Sequence, residues 1–86
     1  MDSRYLKAFI AVTETGSFSA AAENLHLTQP AVSKRIALLE EQVGAQLFDR
    51  AGRQVSPTQA GQTLLPRARE ILQAVINAQR AIDDLQ

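Results

Sequence analysis

The stretch GSFSAAAENLHLTQPAVSKRI, residues 16–36, constrains the fold of this chain more than any other part. Ser17 and Thr28 are each suited to cap the start of a helix, and Pro30 fits the first turn of the second helix, where its missing N–H costs little. The first helix has a face of small apolar side chains formed by Ala21, Ala22 and Leu25. Small side chains let a second helix cross at close range. The pattern therefore predicts two short helices joined by a tight polar turn, a helix-turn-helix.

The second of these helices has two chemically different faces. Apolar residues at four-three spacing predict the buried face: Val32, Ile36, Leu39 and Val43. The opposite face, near the helix start, carries polar, apolar and cationic groups and no acid: Gln29, Pro30, Ser33 and Lys34. In a DNA major groove, glutamine pairs with adenine, serine suits several bases, proline can touch a thymine methyl and lysine reads guanine or holds a phosphate. An ordinary amphipathic helix with a solvated face gives the same pattern, so this helix alone does not decide the function.

Length and composition favour one small, mainly helical domain. The chain has 86 residues, of which 45% are hydrophobic, so its core is modest and a large enzyme cleft is not expected. It has no cysteine and one histidine, so we expect no disulfide, no metal site and no cofactor. Without a membrane-length apolar run or a signal-like N-terminus, a cytoplasmic protein with no membrane partner is the default expectation.

The charges are unevenly distributed although the formal net charge is zero. Between residues 50 and 69 there is no acid, and the basic residues are Arg50, Arg53, Arg67 and Arg69. For binding to a nucleic acid, the clustering of basic residues on one surface matters more than the net charge of the chain. The sequence therefore predicts a locally positive region.

Two glycines divide the N-terminal part of the chain. Gly16 is expected to end a first amphipathic helix over 4–14, and Gly44 to end the second helix of the helix-turn-helix. Residues 47–50 and 53–56 then flank the dipeptide Ala51-Gly52, which predicts a short hairpin, or wing, although a looser turn is also possible.

If the wing has a two-residue loop, Arg50 and Arg53 face each other as its closing pair. Like charges placed opposite each other repel, and a bound phosphate would relieve that repulsion. Exposed turn arginines are common, so a solvated turn is the alternative interpretation.

The last third of the chain has the sharpest periodicity. Apolar residues recur in steps of three and four at Leu64, Ala68, Ile71, Val75, Ala78, Ile82 and Leu85. A helix over 58–85 would be about 40 Å long, too long for the small domain to cover, so the stripe predicts a homodimer. Pro66 predicts a kink in one bent helix; two helices meeting at Pro66 are the competing arrangement.

The segments LKAFIAVTETGSFSAAAENL, LTQPAVSKRIALLEEQVGAQLFDR and RQVSPTQAGQTLLPRAREIL together resemble the N-terminal part of LysR-type bacterial transcriptional regulators. The resemblance covers essentially the whole chain. It implies a mainly α fold, with a winged helix-turn-helix of three helices and a short β-hairpin over 1–57 and a dimerisation helix over 58–86. It also implies a C-terminal effector-binding domain outside this chain, through which alone a small-molecule effector would act.

Carried over by position, the resemblance implies base contacts from Gln29, Pro30, Ser33 and Lys34, wing contacts from Arg50 and Arg53, and supporting backbone contacts from Thr28 and Arg35. Lys34 stands where the family often has arginine, and it lacks the bidentate fork that reads guanine. His26 stands where many helix-turn-helix proteins have glycine, so a larger residue has to adopt any left-handed conformation there.

The combined interpretation is a homodimer that binds double-stranded DNA at an interrupted palindrome and regulates transcription. A helical protein–protein interaction module that uses the 64–85 stripe is the alternative. An enzyme is disfavoured, because the only tempting pair, His26 with Glu23, is better explained as a polar turn residue beside a solvated carboxylate.

Overall fold

The computed structural model describes residues 1–52 and 54–86. Within these ranges the chain forms, in order, α1 (Ser3–Thr15), α2 (Phe18–Leu25), α3 (Gln29–Val43), β1 (Phe48–Asp49), β2 (Ser56–Pro57) and α4 (Gln59–Asp83). Arg53, one of the predicted wing residues, lies outside the described residues. The element order confirms the predicted three helices, short hairpin and long helix.

Side-chain caps set where the helices begin. The hydroxyl oxygens of Ser17 and Thr28 each accept a hydrogen bond from the backbone N–H three residues further on, as the sequence predicted. Asp2 likewise caps α1 with its side chain, so this helix begins one residue before the predicted start at Arg4. At the C-terminal ends, Gly16 and Gly44 adopt left-handed conformations, with φ of 68° and 75°.

His26 ends α2 in a left-handed conformation, with φ of 55°. The backbone N–H of His26 donates to the carbonyl oxygen of Glu23, and that of Leu27 donates to the carbonyl oxygen of Ala22. These bonds satisfy carbonyl groups at the helix end that would otherwise lack partners. The turn therefore has the geometry usually given to glycine, with a larger residue in that place.

The core lies where α1, α2 and α3 cross. Its larger buried side chains come from these helices, from Leu47 and from β1, and α4 adds Ala68; they are Leu6, Phe9, Val12, Val32, Ile36, Leu39, Leu47 and Phe48, with Ala21 and Ala22 between the helices. The ring of Phe48 lies 5.4 Å from that of Phe9 and 6.1 Å from that of Phe18, measured between centroids. These aromatic contacts attach the first strand of the wing to the helices.

The hairpin is shorter than predicted and has a different register. Phe48 pairs with Pro57 and Asp49 pairs with Ser56 in an antiparallel ladder. The predicted two-residue loop at Ala51-Gly52 is therefore wrong, because the last pair of the ladder is Asp49 with Ser56. The closing pair that depended on this loop includes Arg53, which lies outside the described residues. The side chain of Asp49 explains the early turn, since its Oδ1 accepts a hydrogen bond of 2.9 Å from the backbone N–H of Ala51.

One helix, α4, continues past Pro66, which confirms the prediction of a single helix. The Thr58 hydroxyl donates to the carbonyl oxygen of Gln46 over 2.6 Å and thereby fixes the start of α4 beside the wing. None of the helices in ranges 1–52 and 54–86 is long and apolar enough to cross a membrane.

The buried face of α4 corrects one position of the predicted dimer seam. Ala68 is fully buried and belongs to the core of its own domain. The helical repeat places it beside Gly61, Leu65 and Leu72, on a face adjoining the one that carries Ile71 and Val75. Ala68 therefore packs within its own chain and cannot contribute its side chain to a partner.

Candidate nucleic-acid interface

The first half of α3 presents four predicted contact residues on the side away from the core. Gln29, Pro30 and Lys34 are exposed and Ser33 is half-buried, whereas Val32 on the opposite side is fully buried. The burial of Val32, Ile36 and Leu39 sets the rotation of the helix and turns Gln29, Pro30 and Lys34 to solvent. The structure thus brings together the four residues for which base contacts were predicted.

Thr28 and Arg35 flank this surface in different ways. The hydroxyl oxygen of Thr28 accepts a hydrogen bond of 3.2 Å from the backbone N–H of Ala31, so it caps the helix. Arg35 is half-buried, and its positive charge is a minor cause of the lowered pKa of Asp2 at the start of α1. The larger causes of this pKa, about 2 instead of 3.8, are the hydrogen bonds from the side chain and backbone of Arg4. Arg35 therefore lies on the flank of α3 within electrostatic reach of α1.

Gln29 has a partner on the neighbouring helix. The hydroxyl of Ser19, in the first turn of α2, donates to Oε1 of Gln29 over 3.3 Å. Both residues are exposed and both follow a capped helix start, since Ser17 caps α2 and Thr28 caps α3. This bond joins the two helices of the helix-turn-helix on the surface formed by the start of α3.

Arg50, a predicted wing contact, is engaged by its own domain. Its guanidinium lies 3.7 Å from Oε1 of Glu40 and 4.8 Å from the centroid of the Phe18 ring. The other carboxylate oxygen of Glu40 accepts a hydrogen bond of 2.8 Å from the backbone N–H of Leu47. Glu40 therefore links α3 to the segment entering the wing, and Arg50 closes over this link with about half of its side chain still exposed.

Two other arginines of the acid-free segment also meet acids in the folded chain. Arg67 pairs with Glu70 at 3.2 Å, and Arg69 pairs with Glu14 of α1 at 3.6 Å. Both pairs are well exposed and contribute little to stability. They nonetheless reduce the local excess of positive charge that the linear sequence predicted.

The second half of α4 leaves apolar side chains exposed. Relative exposure is 38% for Ile71, 52% for Val75, 57% for Ile82 and 82% for Leu85. Ala78 is also exposed, and Leu64 at the other end of the stripe is half-buried against its own domain. A row of exposed apolar side chains along one helix is typical of an interaction surface.

Sequence reasoning missed the roles of Ser19 and Glu40. Each acts on a residue about ten positions away along the chain, beyond the three- and four-residue spacing that reveals contacts within one helix. Ser19 is an exposed polar residue in the first turn of α2, but the sequence pattern does not identify its partner. The contact depends on how α2 crosses α3.

The helices, the hairpin and the exposed start of α3 define a winged helix-turn-helix protein. Residues 3–62 match the family model of the bacterial regulatory helix-turn-helix proteins of the lysR family. The chain belongs to this family. It is also 61% identical, over 99% of its length, to an uncharacterised HTH-type transcriptional regulator in the ibpB-leuC intergenic region of Azotobacter vinelandii. It spans 59% of the length of that relative.

Solved structures show the same fold. The DarR protein of Vibrio fischeri, in a crystal structure with DNA, superposes with a TM-score of 0.95 at 36% identity, over 99% of this chain and 29% of that one. The CbnR DNA-binding domain, also crystallised with DNA, superposes with a TM-score of 0.89 at 38% identity, over all of both chains. These similarities confirm the predicted winged helix-turn-helix and the resemblance to LysR-type regulators.

Proposed function

We propose that this chain binds double-stranded DNA in a sequence-specific manner and serves as the DNA-reading part of a bacterial transcriptional regulator. The observation that carries the proposal is the exposed, acid-free surface at the start of α3, formed by Gln29, Pro30, Ser33 and Lys34. A helix that enters the major groove by its N-terminal half presents such residues to base edges. The two superposing structures with DNA lend support.

The wing plays a secondary part in this proposal. Arg50 and Arg53 are proposed to approach phosphates beside the groove, with Thr28 and Arg35 next to the reading helix. The contacts of Arg50 with Glu40 and Phe18 indicate that it also holds the root of the wing. A phosphate contact made by Arg50 would use the exposed half of its side chain.

We further propose that two copies pair through α4. The supporting observation is the exposed apolar row of Ile71, Val75, Ala78, Ile82 and Leu85. A two-fold symmetric dimer would place two reading helices on two half-sites, so the expected operator is an interrupted palindrome. We divide the chain accordingly into a DNA-binding part over 1–57 and a pairing helix over 58–86.

The chain is proposed to act by binding and not by catalysis, in the bacterial cytoplasm and on the nucleoid. Its relatives are transcriptional regulators, including the nitrogen assimilation regulatory protein nac of Klebsiella aerogenes. We propose that a small-molecule effector would act through a separate effector domain, so these 86 residues would bind DNA without responding to one.

Selection from a randomised duplex pool tests the DNA-reading function. The chain should enrich one half-site motif, and Gln29→Ala or Ser33→Ala should each relax the preference at particular base pairs. Gln42→Ala is the matched control, because Gln42 is an exposed glutamine near the far end of the same helix. Failure to enrich any motif, or equal losses for all sequences, would refute the assignment of α3. Absence of duplex binding together with intact self-association would favour the protein–protein interaction module.

A further inference from the structure

The orientation of the Gln29 side chain is set from outside its own helix. Oε1 of Gln29 accepts the hydroxyl hydrogen of Ser19 over 3.3 Å, so the oxygen end of the amide points toward α2. The amide nitrogen then occupies the other side of the group. An exposed glutamine without such a partner samples several rotamers and either orientation of its amide.

Both residues of this hydrogen bond lie at the start of a capped helix. Ser19 lies in the first turn of α2, which Ser17 caps by accepting a hydrogen bond of 3.1 Å from the backbone N–H of Ala20. Gln29 is the first residue of α3, after the Thr28 cap. Behind them, Ala21 and Val32 are fully buried between the helices. The spacing of the two side chains therefore follows from the packing of the core.

We propose that Ser19 is a positioning residue that holds the Gln29 amide in one orientation and thereby sharpens the preference of that side chain for adenine. The inference rests on the proposed function, since it concerns the reading of bases by α3. Adenine offers an acceptor at N7 beside a donor at N6, and a glutamine amide matches both when its nitrogen and oxygen are in the right order. The Ser19 bond uses one lone pair of Oε1 and leaves the second for the N6 amine.

Without the Ser19 hydroxyl, the amide is free to turn. It can then direct its nitrogen to the acceptors of guanine or thymine, or its oxygen to the amine of cytosine. Ordering one flexible side chain at an interface contributes about a two- to ten-fold difference in binding. Removing the hydroxyl should therefore weaken binding to the duplex with adenine at one base pair by about this factor and change binding to duplexes with other bases there less. Discrimination at that base pair falls as a result.

Duplexes chosen from the randomised pool provide the test. The base pair at which Gln29→Ala relaxes the motif is identified first, and the ratio of dissociation constants for adenine over each other base is then measured there. Ser19→Ala should lower this ratio about two- to ten-fold. Ser19→Thr, which keeps a hydroxyl, should preserve this ratio. Ser19→Val, which has nearly the shape of the threonine variant but no hydroxyl, should not. Asn24→Ala, a change of another exposed polar residue on α2, is the control.

A double variant separates positioning from direct contact. In the Gln29→Ala background, Ser19→Ala should change no ratio further, because the group that it orients is gone. Loss of affinity for all duplexes in that background would show that Ser19 touches DNA itself and would overturn the inference. An unchanged ratio in the single Ser19→Ala and Ser19→Val variants would also overturn it, with the reading function intact. If Gln29→Ala relaxes the base preference at no position, both the proposed role of Gln29 in reading DNA and the positioning role of Ser19 are refuted.

Discussion

The guanidinium of Arg50 lies 4.8 Å from the centroid of the Phe18 ring, at the place where the wing leaves the helices. The same guanidinium reaches Glu40 of α3 at 3.7 Å. Arg50 thus joins the first residue of α2, the second half of α3 and the end of β1. A residue that the sequence suggested only as a wing contact is part of the structure that supports the wing.

Replacing Arg50 should measure this support. Arg50→Ala should lower the free energy of unfolding by about 1 kcal/mol, because it removes a half-exposed ion pair and a cation–ring contact. Arg50→Lys should recover part of the loss, since lysine keeps the charge but not the flat face of the guanidinium. Urea denaturation checks both. Unchanged stability together with weakened DNA binding would assign Arg50 to phosphate contact alone.

Gly61, in the first turn of α4, lies against Leu47 and against Pro57 of β2. A Cβ on this residue would collide with the carbonyl oxygen of Leu47 and lie 3.1 Å from Cβ of Pro57. Gly61→Ala should therefore destabilise the fold by about 1–3 kcal/mol despite the higher helix propensity of alanine. Gly52→Ala is the control, because a Cβ there meets nothing within 4 Å. Equal denaturation midpoints for the two variants would contradict this packing.

Replacing His26 by glycine should stabilise the fold, in contrast to the change at Gly61. Glycine has no Cβ penalty at a φ of 55°, so His26→Gly should raise the free energy of unfolding by about 0.5 kcal/mol after its larger unfolded-state entropy is counted. Glu23→Gly, at an exposed position inside the same helix, should instead lower it. Thermal unfolding of both variants is the measurement. A loss of stability in His26→Gly would mean that the imidazole makes a stabilising contact larger than the backbone penalty.

The exposed stripe of α4 predicts self-association. Ile71→Glu and Val75→Glu should each shift the chain from dimer to monomer, because a carboxylate would be buried in an apolar interface. Gln73→Glu places the same charge on the opposite side of α4 and should leave the dimer intact. Sedimentation equilibrium distinguishes the two states. A Val75→Glu dimer as strong as the wild type would place the contact elsewhere.

Asp2 predicts an acid-sensitive start of α1. The side-chain hydrogen bond from Arg4, followed by the backbone one, lowers the pKa of Asp2 from 3.8 to about 2. A carboxylate whose pKa is lowered in the folded state stabilises the fold above its unfolded pKa, and this contribution is lost as the pH falls toward 2. The difference in Tm between wild type and Asp2→Asn should therefore shrink between pH 3.8 and about 2. Arg4→Ala should move the titration of Asp2 upward, as followed by carboxyl NMR; an unmoved titration would exclude Arg4 as the cause.

Much of the fold follows from short-range patterns in the chain. Ser17, Thr28, Gly16 and Gly44 act on groups within a few residues, so their cap roles are visible without a structure. The four-three spacing of Val32, Ile36 and Leu39 likewise determines which side of α3 is buried and leaves Gln29 and its neighbours outside. The sequence by itself therefore determined the helices, their ends and the composition of the exposed surface on α3.

Contacts between elements were decided only by the tertiary structure. The hairpin pairs Phe48 with Pro57, the packing of α4 on the core removes Ala68 from the seam, and an ion pair joins Arg69 of α4 to Glu14 of α1. The hydrogen bond between Ser19 and Gln29 likewise exists because the packing of α2 against α3 brings the starts of the two helices together. Local spacing specifies the faces of an element, but which faces meet depends on the packing of the whole chain, where many weak contacts are satisfied together.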